Sequence, residues 1–225
     1  MAKIVDTLSD AITFINSLYE VDSEEPASGE EDYLVWTSLL NVAKNLWEQE
    51  EGVLWRELFV KLEDAATGDK TTDGTTSYTC PTDFIFSASA YVWVGTGTSK
   101  TPYKVMRVED LQIYENNSGN WCYFIGGASP TLEFNPNLTM DTGSTISYNY
   151  YKHATKLTTG TDKLEMSDPM AAVYYVVGEL KKEEGDSSAL QVFTQKIDAM
   201  ATKNSMPTWL MDDNLFDKTE SGFGV

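Results

Sequence analysis

Residues 67–84, TGDKTTDGTTSYTCPTDF, decide the fold, because the hydrophobic period changes within them. Upstream, apolar residues recur at three- and four-residue steps, the spacing of one face of a helix. Beyond Gly74 the period falls towards two, and the chain turns to Thr, Tyr, Val, Phe and Ile set among glycines and prolines. Helices are therefore predicted before this stretch and strands after it.

Working outward towards the N-terminus, Trp55, Leu58, Phe59 and Leu62 predict a short third helix that ends in the polar run 67–77. Before it, Trp36, Leu39, Leu40, Ala43, Leu46 and Trp47 predict one face of a second helix broken near Gly52, with Glu30 to Asp32 at its positive end. The acidic segment 20–31, EVDSEEPASGEE, reads as an exposed linker. Val5, Leu8, Ile12, Ile15 and Tyr19 give the stripe of a first helix.

Towards the C-terminus, strands are predicted near 77–80, 86–94, 103–108, 121–126, 131–134 and 144–151. They are separated by the turn-rich stretches GTGTSKTP, ENNSGN, GGASP and NPNLTMDTG. In the last strand Ile146, Tyr148 and Tyr150 fall on the buried face, and Ser147, Asn149 and Tyr151 on the wet one. Helical spacing returns at Asp168 and Pro169, an N-cap and first-turn pair, with Met170, Val173, Val177 and Leu180 on one stripe. A bend at Gly185 to Ser188 leads to a last helix bearing Leu190, Phe193, Ile197 and Met200.

The predicted class is α+β: an antiparallel helical bundle built from both ends of the chain, with a small antiparallel β-sandwich or barrel inserted. Residues 1–70 supply the N-terminal helices, 71–156 the inserted β module, 157–204 a C-terminal helical hairpin and 205–225 an extended arm.

Of the 225 residues, 35 are acidic and 16 basic, for a formal charge of −19, and 41% are hydrophobic. Enough apolar mass exists for a packed core. So acidic a chain is not built to grip DNA by its phosphates. No apolar run has the length of a membrane span, and the N-terminal stretch, amphipathic with acids inside it, is not a signal peptide. Cys80 and Cys122 are predicted to be buried, reduced thiols, and the triplets at Asn116 and Asn137 to be chance glycosylation matches.

Motifs for chemistry fail in turn. His153, the single histidine, has no nucleophile placed beside it by the sequence and reads as a hinge residue. Gly95, Gly97 and Lys100 resemble a phosphate loop but join two strand-like runs, so a hairpin is predicted. Asp212, Asp213, Asn214 and Asp217 lack the ligand spacing of a calcium loop. No catalytic, cofactor or metal residues are assigned, and no enzyme activity is expected.

The six tryptophans and twelve tyrosines carry more information. Trp36, Trp47 and Trp55 fall on helix stripes and are predicted to be core. Trp93 and Trp121, in the β region, are candidates for a tail or ring interface, or for a sugar platform. Trp209, Leu210, Leu215 and Phe216 stand among acids in the last segment and read as anchors for another surface.

Taken in order, these pieces resemble the head-to-tail connector, or adaptor, proteins of tailed bacteriophages. The resemblance is carried by the helical N-terminal segment ending in Trp55 to Leu58, by TTSYTCPTDF (75–84), by TLEFNP (131–136), by TISYNYYKHATKL (145–157), and by DPM followed by two helices. It runs from about residue 5 to residue 203. The acidic linker at 20–31 and Cys80, where an apolar residue is more usual, depart from the pattern. The resemblance implies a structural virion protein forming a ring of twelve copies, assembled in the host cytoplasm and placed at the head–tail junction. Its partners would be the portal protein, a tail or further neck component and its own copies, with DNA passing non-specifically through the lumen and no membrane or cofactor involved. It also implies that the arm carrying Trp209, Leu210, Leu215 and Phe216 docks on the portal. The competing expectation is a receptor- or carbohydrate-binding virion protein that uses exposed aromatics of the β module.

Overall fold

The computed structural model describes residues 5–19, 24–62, 71–111 and 118–204. These divide into a helical unit, residues 5–58 with 154–204, and a β unit, residues 59–153.

Four α-helices make the helical unit: α1 (Leu8–Tyr19), α2 (Glu31–Glu48), α3 (Met170–Lys181) and α4 (Ser188–Asn204). Thr7 starts α1 with a capping box, in which its hydroxyl accepts from the Asp10 N–H at 3.2 Å while the Asp10 carboxylate accepts from the Thr7 N–H at 2.9 Å. Helix α1 is tied to the loop at 158–164, since the Leu8 and Ser9 N–H groups donate to the carbonyls of Asp162 and Gly160, at 2.8 and 3.0 Å. That loop is held by Asp162, whose carboxylate accepts the backbone N–H and hydroxyl of both Thr158 and Thr159.

These hydrogen bonds hold the Asp10 and Asp162 carboxyls below the usual carboxylate range, those from Thr7 being the first cause for Asp10 and those from Thr159 for Asp162. A carboxyl whose folded-state pKa is depressed stabilises the fold above its unfolded value and loses that contribution as pH falls through the folded one. Asp162→Asn is therefore expected to flatten the loss of stability that the parent chain shows below about pH 4. Urea midpoints measured across that range check it, and parallel acid profiles for the two chains would refute it.

Helix α3 packs against α1, α2 and α4. The single stripe predicted for it is corrected: Ala171, Ala172, Val173, Val176, Val177 and Gly178 are buried, whereas Met170 and Leu180 are half-exposed. The run MAAVYYVVG carries no charge until Glu179, as a helix covered on several sides requires. The predicted cap is also corrected, for the Asp168 carboxylate pairs with Lys196 at 2.6 Å instead of closing the helix end. A β-carbon on Gly178 would lie 2.6 Å from the Leu190 Cγ and 2.9 Å from the Leu190 backbone nitrogen of α4. Alanine is the better helix former by about 1 kcal/mol, yet Gly178→Ala is expected to cost about 1–3 kcal/mol through overpacking. A thermal midpoint at or above that of the parent chain would show that α3 and α4 can move apart freely.

Trp36, Trp47 and Trp55 are buried as expected, with the Trp47 and Trp55 rings 5.0 Å apart and the Trp55 indole N–H donating to the Trp47 carbonyl at 2.6 Å. The expected third helix is reduced to a 3₁₀ turn, Arg56–Leu58, which runs straight into a strand, β1 (Phe59–Leu62). Over eight residues the spacing of Trp55, Leu58 and Leu62 suits a helix, but alternation at Val60 and Leu62 suits a strand equally, and pairing with a long strand decides it.

The β unit continues with β2 (Thr71–Asp73), β3 (Ser77–Thr79), β4 (Phe84–Ser87), β5 (Tyr91–Thr96), β6 (Ser99–Val105), β7 (Trp121–Ile125), β8 (Thr131–Phe134) and β9 (Thr142–Lys152). They form one mixed sheet curled into a half-barrel, in the order β1-β9-β5-β6-β7-β8-β3, with β2 and β4 also on β9. Eleven residues long, β9 has room for four partners along its two edges. The all-antiparallel expectation fails at β6 and β7, which run parallel through Lys104↔Trp121 and Val105↔Cys122. The expected strand 86–94 is split, because Ser87 and Ser89 bond each other locally and the Ser89 hydroxyl takes the Asn149 N–H at 3.0 Å.

Ile146, Tyr148 and Tyr150 point into the core beside Phe84, Phe134 and Cys122, as the alternation requires. The opposite face of β9 is drier than expected. Ser147 is buried against Lys100, and Tyr151 is covered by Phe86, stacked at 5.1 Å, and by Phe59, edge-on at 5.7 Å. Burial pushes the Cys122 thiol and the Tyr150 hydroxyl above their ordinary values, the latter helped by Asp83. Both cysteines are buried and neither is in a disulfide.

Candidate functional site

The outward side of β5, β6 and β9 is the first surface built for contact. Register puts Tyr91 opposite Lys104, Trp93 opposite Pro102 and Ser147, and Gly95 opposite Lys100, so these side chains share a face. Gly95 is required there, since a β-carbon would lie 2.1 Å from the Ser99 carbonyl oxygen. The stretch that mimics a phosphate loop is a hairpin, closed by a Thr96↔Ser99 pair across Gly97 and Thr98. Gly97 at φ 57° followed by a residue of negative φ fits a type II′ turn.

Trp93 is 43% exposed and lies 6.3 Å from Tyr91. It borders a groove of about 390 Å³ lined also by Lys61, Lys100, Ser147 and Asn149, and none of the described lining residues is a carboxylate. The Lys100 ammonium donates to the Ser147 hydroxyl at 3.2 Å, which holds the charge at the groove wall. Trp121 differs, being only 4% exposed, so of the two tryptophans singled out in the β region Trp93 alone presents its ring to solvent.

The second surface is on α2. Its inward face buries Tyr33, Trp36, Leu40, Ala43 and Trp47, but Leu39 is half-exposed and Leu46 is exposed, against the single face expected. Val35, Leu39, Val42 and Leu46 follow steps of four, three and four along a second stripe, and Leu34 beside them is 58% exposed. At the Leu46 end the stripe opens into a groove of about 200 Å³ with Phe193 and Ile197 of α4, rimmed by Glu50 and Asp198. Sequence reasoning missed this surface because it placed Leu39 and Leu46 on the same face as Trp36 and Trp47 and left Leu34, Val35 and Val42 unassigned. The steps from Val35 to Leu46 were the available signal.

Charge separates the two units. Among described residues the helical unit has nineteen carboxylates against eight lysines and arginines, and the β unit six against five. Exposed apolar area with a charged rim suits binding. His153 is exposed, and its backbone N–H donates to the Asp83 carbonyl at 2.7 Å. Among the described residues no group of three or more His, Cys, Asp or Glu is placed to hold a metal, and no helix is long and apolar enough to cross a membrane. Trp209, Leu210, Leu215 and Phe216, the predicted anchors, and the acids at 212–217 lie outside the described residues.

The model of the SU10 adaptor protein family matches residues 7–212, across both units. No curated protein matches the chain.

Proposed function

Since the chain belongs to the SU10 adaptor protein family, we propose that it forms the ring joining the head of a tailed phage to its tail. Membership itself makes it a structural component of a phage virion, with partners among head and tail proteins. The proposal adds a dodecamer seated on the portal, a platform for the tail on its far side and a lumen through which DNA passes. The observation that carries it is the family match over most of the chain, in a protein whose described surfaces are apolar faces with charged rims.

In this reading the helices of residues 1–70 and 157–204 form the bundle that builds the ring, the β module 71–156 faces a neighbour or the tail, and the arm 205–225 grips the portal through Trp209, Leu210, Leu215 and Phe216. Nineteen carboxylates on the helical unit suit a lumen that repels phosphates and lets the genome slide. Deleting residues 205–225 tests the portal grip: heads filled with DNA but lacking tails are expected by electron microscopy, and normal virions would overturn the arm's role.

Trp93 gives a specific reason to keep a second reading, because an exposed indole beside Asn149 and Ser147 is also what a sugar ring stacks on. Loss of glycan retention in Trp93→Ala particles that still assemble would favour it.

A further inference from the structure

Resting on the ring reading, we infer that the outward stripe of α2 on one copy docks on the outward face of β5, β6 and β9 on the next copy. The stripe from Val35 to Leu46 is about 16 Å long at 1.5 Å per residue, and it lies on a helix that already buries another face within its own unit. A helix apolar on two sides calls for a second cover.

The character of that cover follows from charge. Glu31 and Asp32 stand at one end of the stripe, Glu50, Glu51 and Asp198 at the other, and the single lysine of α2, Lys44, points inward and is buried. Two such stripes paired about a two-fold axis would bring carboxylates against carboxylates, which rules out self-pairing of the stripe. The cover must be apolar in the middle and cationic at the rim. The outward sheet face offers Tyr91 and Trp93 in the middle and Lys61, Lys100 and Lys104 around them. Lys100 is anchored to Ser147, so its charge is already positioned when a carboxylate arrives. Two different patches on one chain make a heterologous contact, which propagates head-to-tail and closes as a ring when the rotation permits. Residues such as Glu50 would then sit near Lys100, while Val42 and Leu46 cover Trp93.

The test is a photo-crosslinker placed at position 42 of the full-length chain, in a mixture of isotopically light and heavy copies, so that bonds between copies are told from bonds within one. Crosslinks from one copy to residues 91–104 or 145–149 of another are expected. Lys100→Glu is expected to weaken self-association at least tenfold, and adding Glu50→Lys to restore it, both read by sedimentation with the fold checked by circular dichroism. Crosslinks that fall elsewhere on the second copy, or a chain that never associates, overturn this pairing. The ring reading is judged separately, by the symmetry of the neck in images of whole particles, so the two can fail independently.

Discussion

Replacing Lys44 by alanine is expected to destabilise the helical unit by about 3–5 kcal/mol, the usual penalty for breaking one side of a buried ion pair. Lys44 is 2% exposed and lies on the inward face of α2 between Leu40 and Trp47. Its ammonium donates to the Thr155 carbonyl and sits 3.5 Å from the Glu165 carboxylate. That carboxylate also accepts the Thr155 N–H at 2.8 Å and hydroxyl at 3.1 Å. The same side of α2 holds the following chain at two more places. The Asn41 amide brackets Leu157, accepting its N–H at 2.8 Å and donating to its carbonyl at 3.0 Å, and the Glu48 carboxylate accepts the Ala154 N–H at 2.8 Å. Residues 154–165 are thus fixed along α2 by polar side chains three and four residues apart.

Alanine at position 44 leaves Glu165 desolvated without its cation and the Thr155 carbonyl without that donor. Lys44→Met combined with Glu165→Gln removes both charges and keeps the volume, so it is expected to recover most of the loss. Urea unfolding followed by helical circular dichroism measures all three chains. A loss below about 1 kcal/mol for Lys44→Ala would place the pair in the surface class, where such bridges contribute little.

Lys44 shows where sequence reading stops. The four α-helices, the hairpin at Gly95 to Lys100 and the strand at 131–134 were legible, because each rests on a local signal: a period, a turn pair, a run of β-formers between breakers. What was missed depends on a partner far along the chain. Strand β1 is a strand because β9 pairs with it, and the parallel pairing of β6 with β7 joins residues sixteen and more positions apart in the chain. Nothing local marks Lys44, since the groups that explain it, Thr155 and Glu165, lie more than a hundred residues away. Among the surfaces, aromatic content pointed to Trp93 but equally to Trp121, for alternation says which residues share a face and not whether that face is covered.

The second large effect follows from that distinction. Trp121→Ala is expected to cost the β unit about 3–5 kcal/mol, the range for emptying a buried tryptophan site. Its ring is buried and lies 6.2 Å from Tyr123, and its carbonyl accepts the Asn135 N–H at 3.0 Å. It also belongs to the short parallel pairing of β6 with β7, opposite Lys104, where two residue pairs set the register and a void would find few ladder bonds to resist it. Trp93→Ala, on an exposed ring, is expected to change stability by less than about 1 kcal/mol and to act on association instead. Urea midpoints and sedimentation of the two variants therefore separate a core residue from a contact residue. The assignment fails if Trp121→Ala unfolds at the parent midpoint while weakening association, since that is how an interface tryptophan behaves.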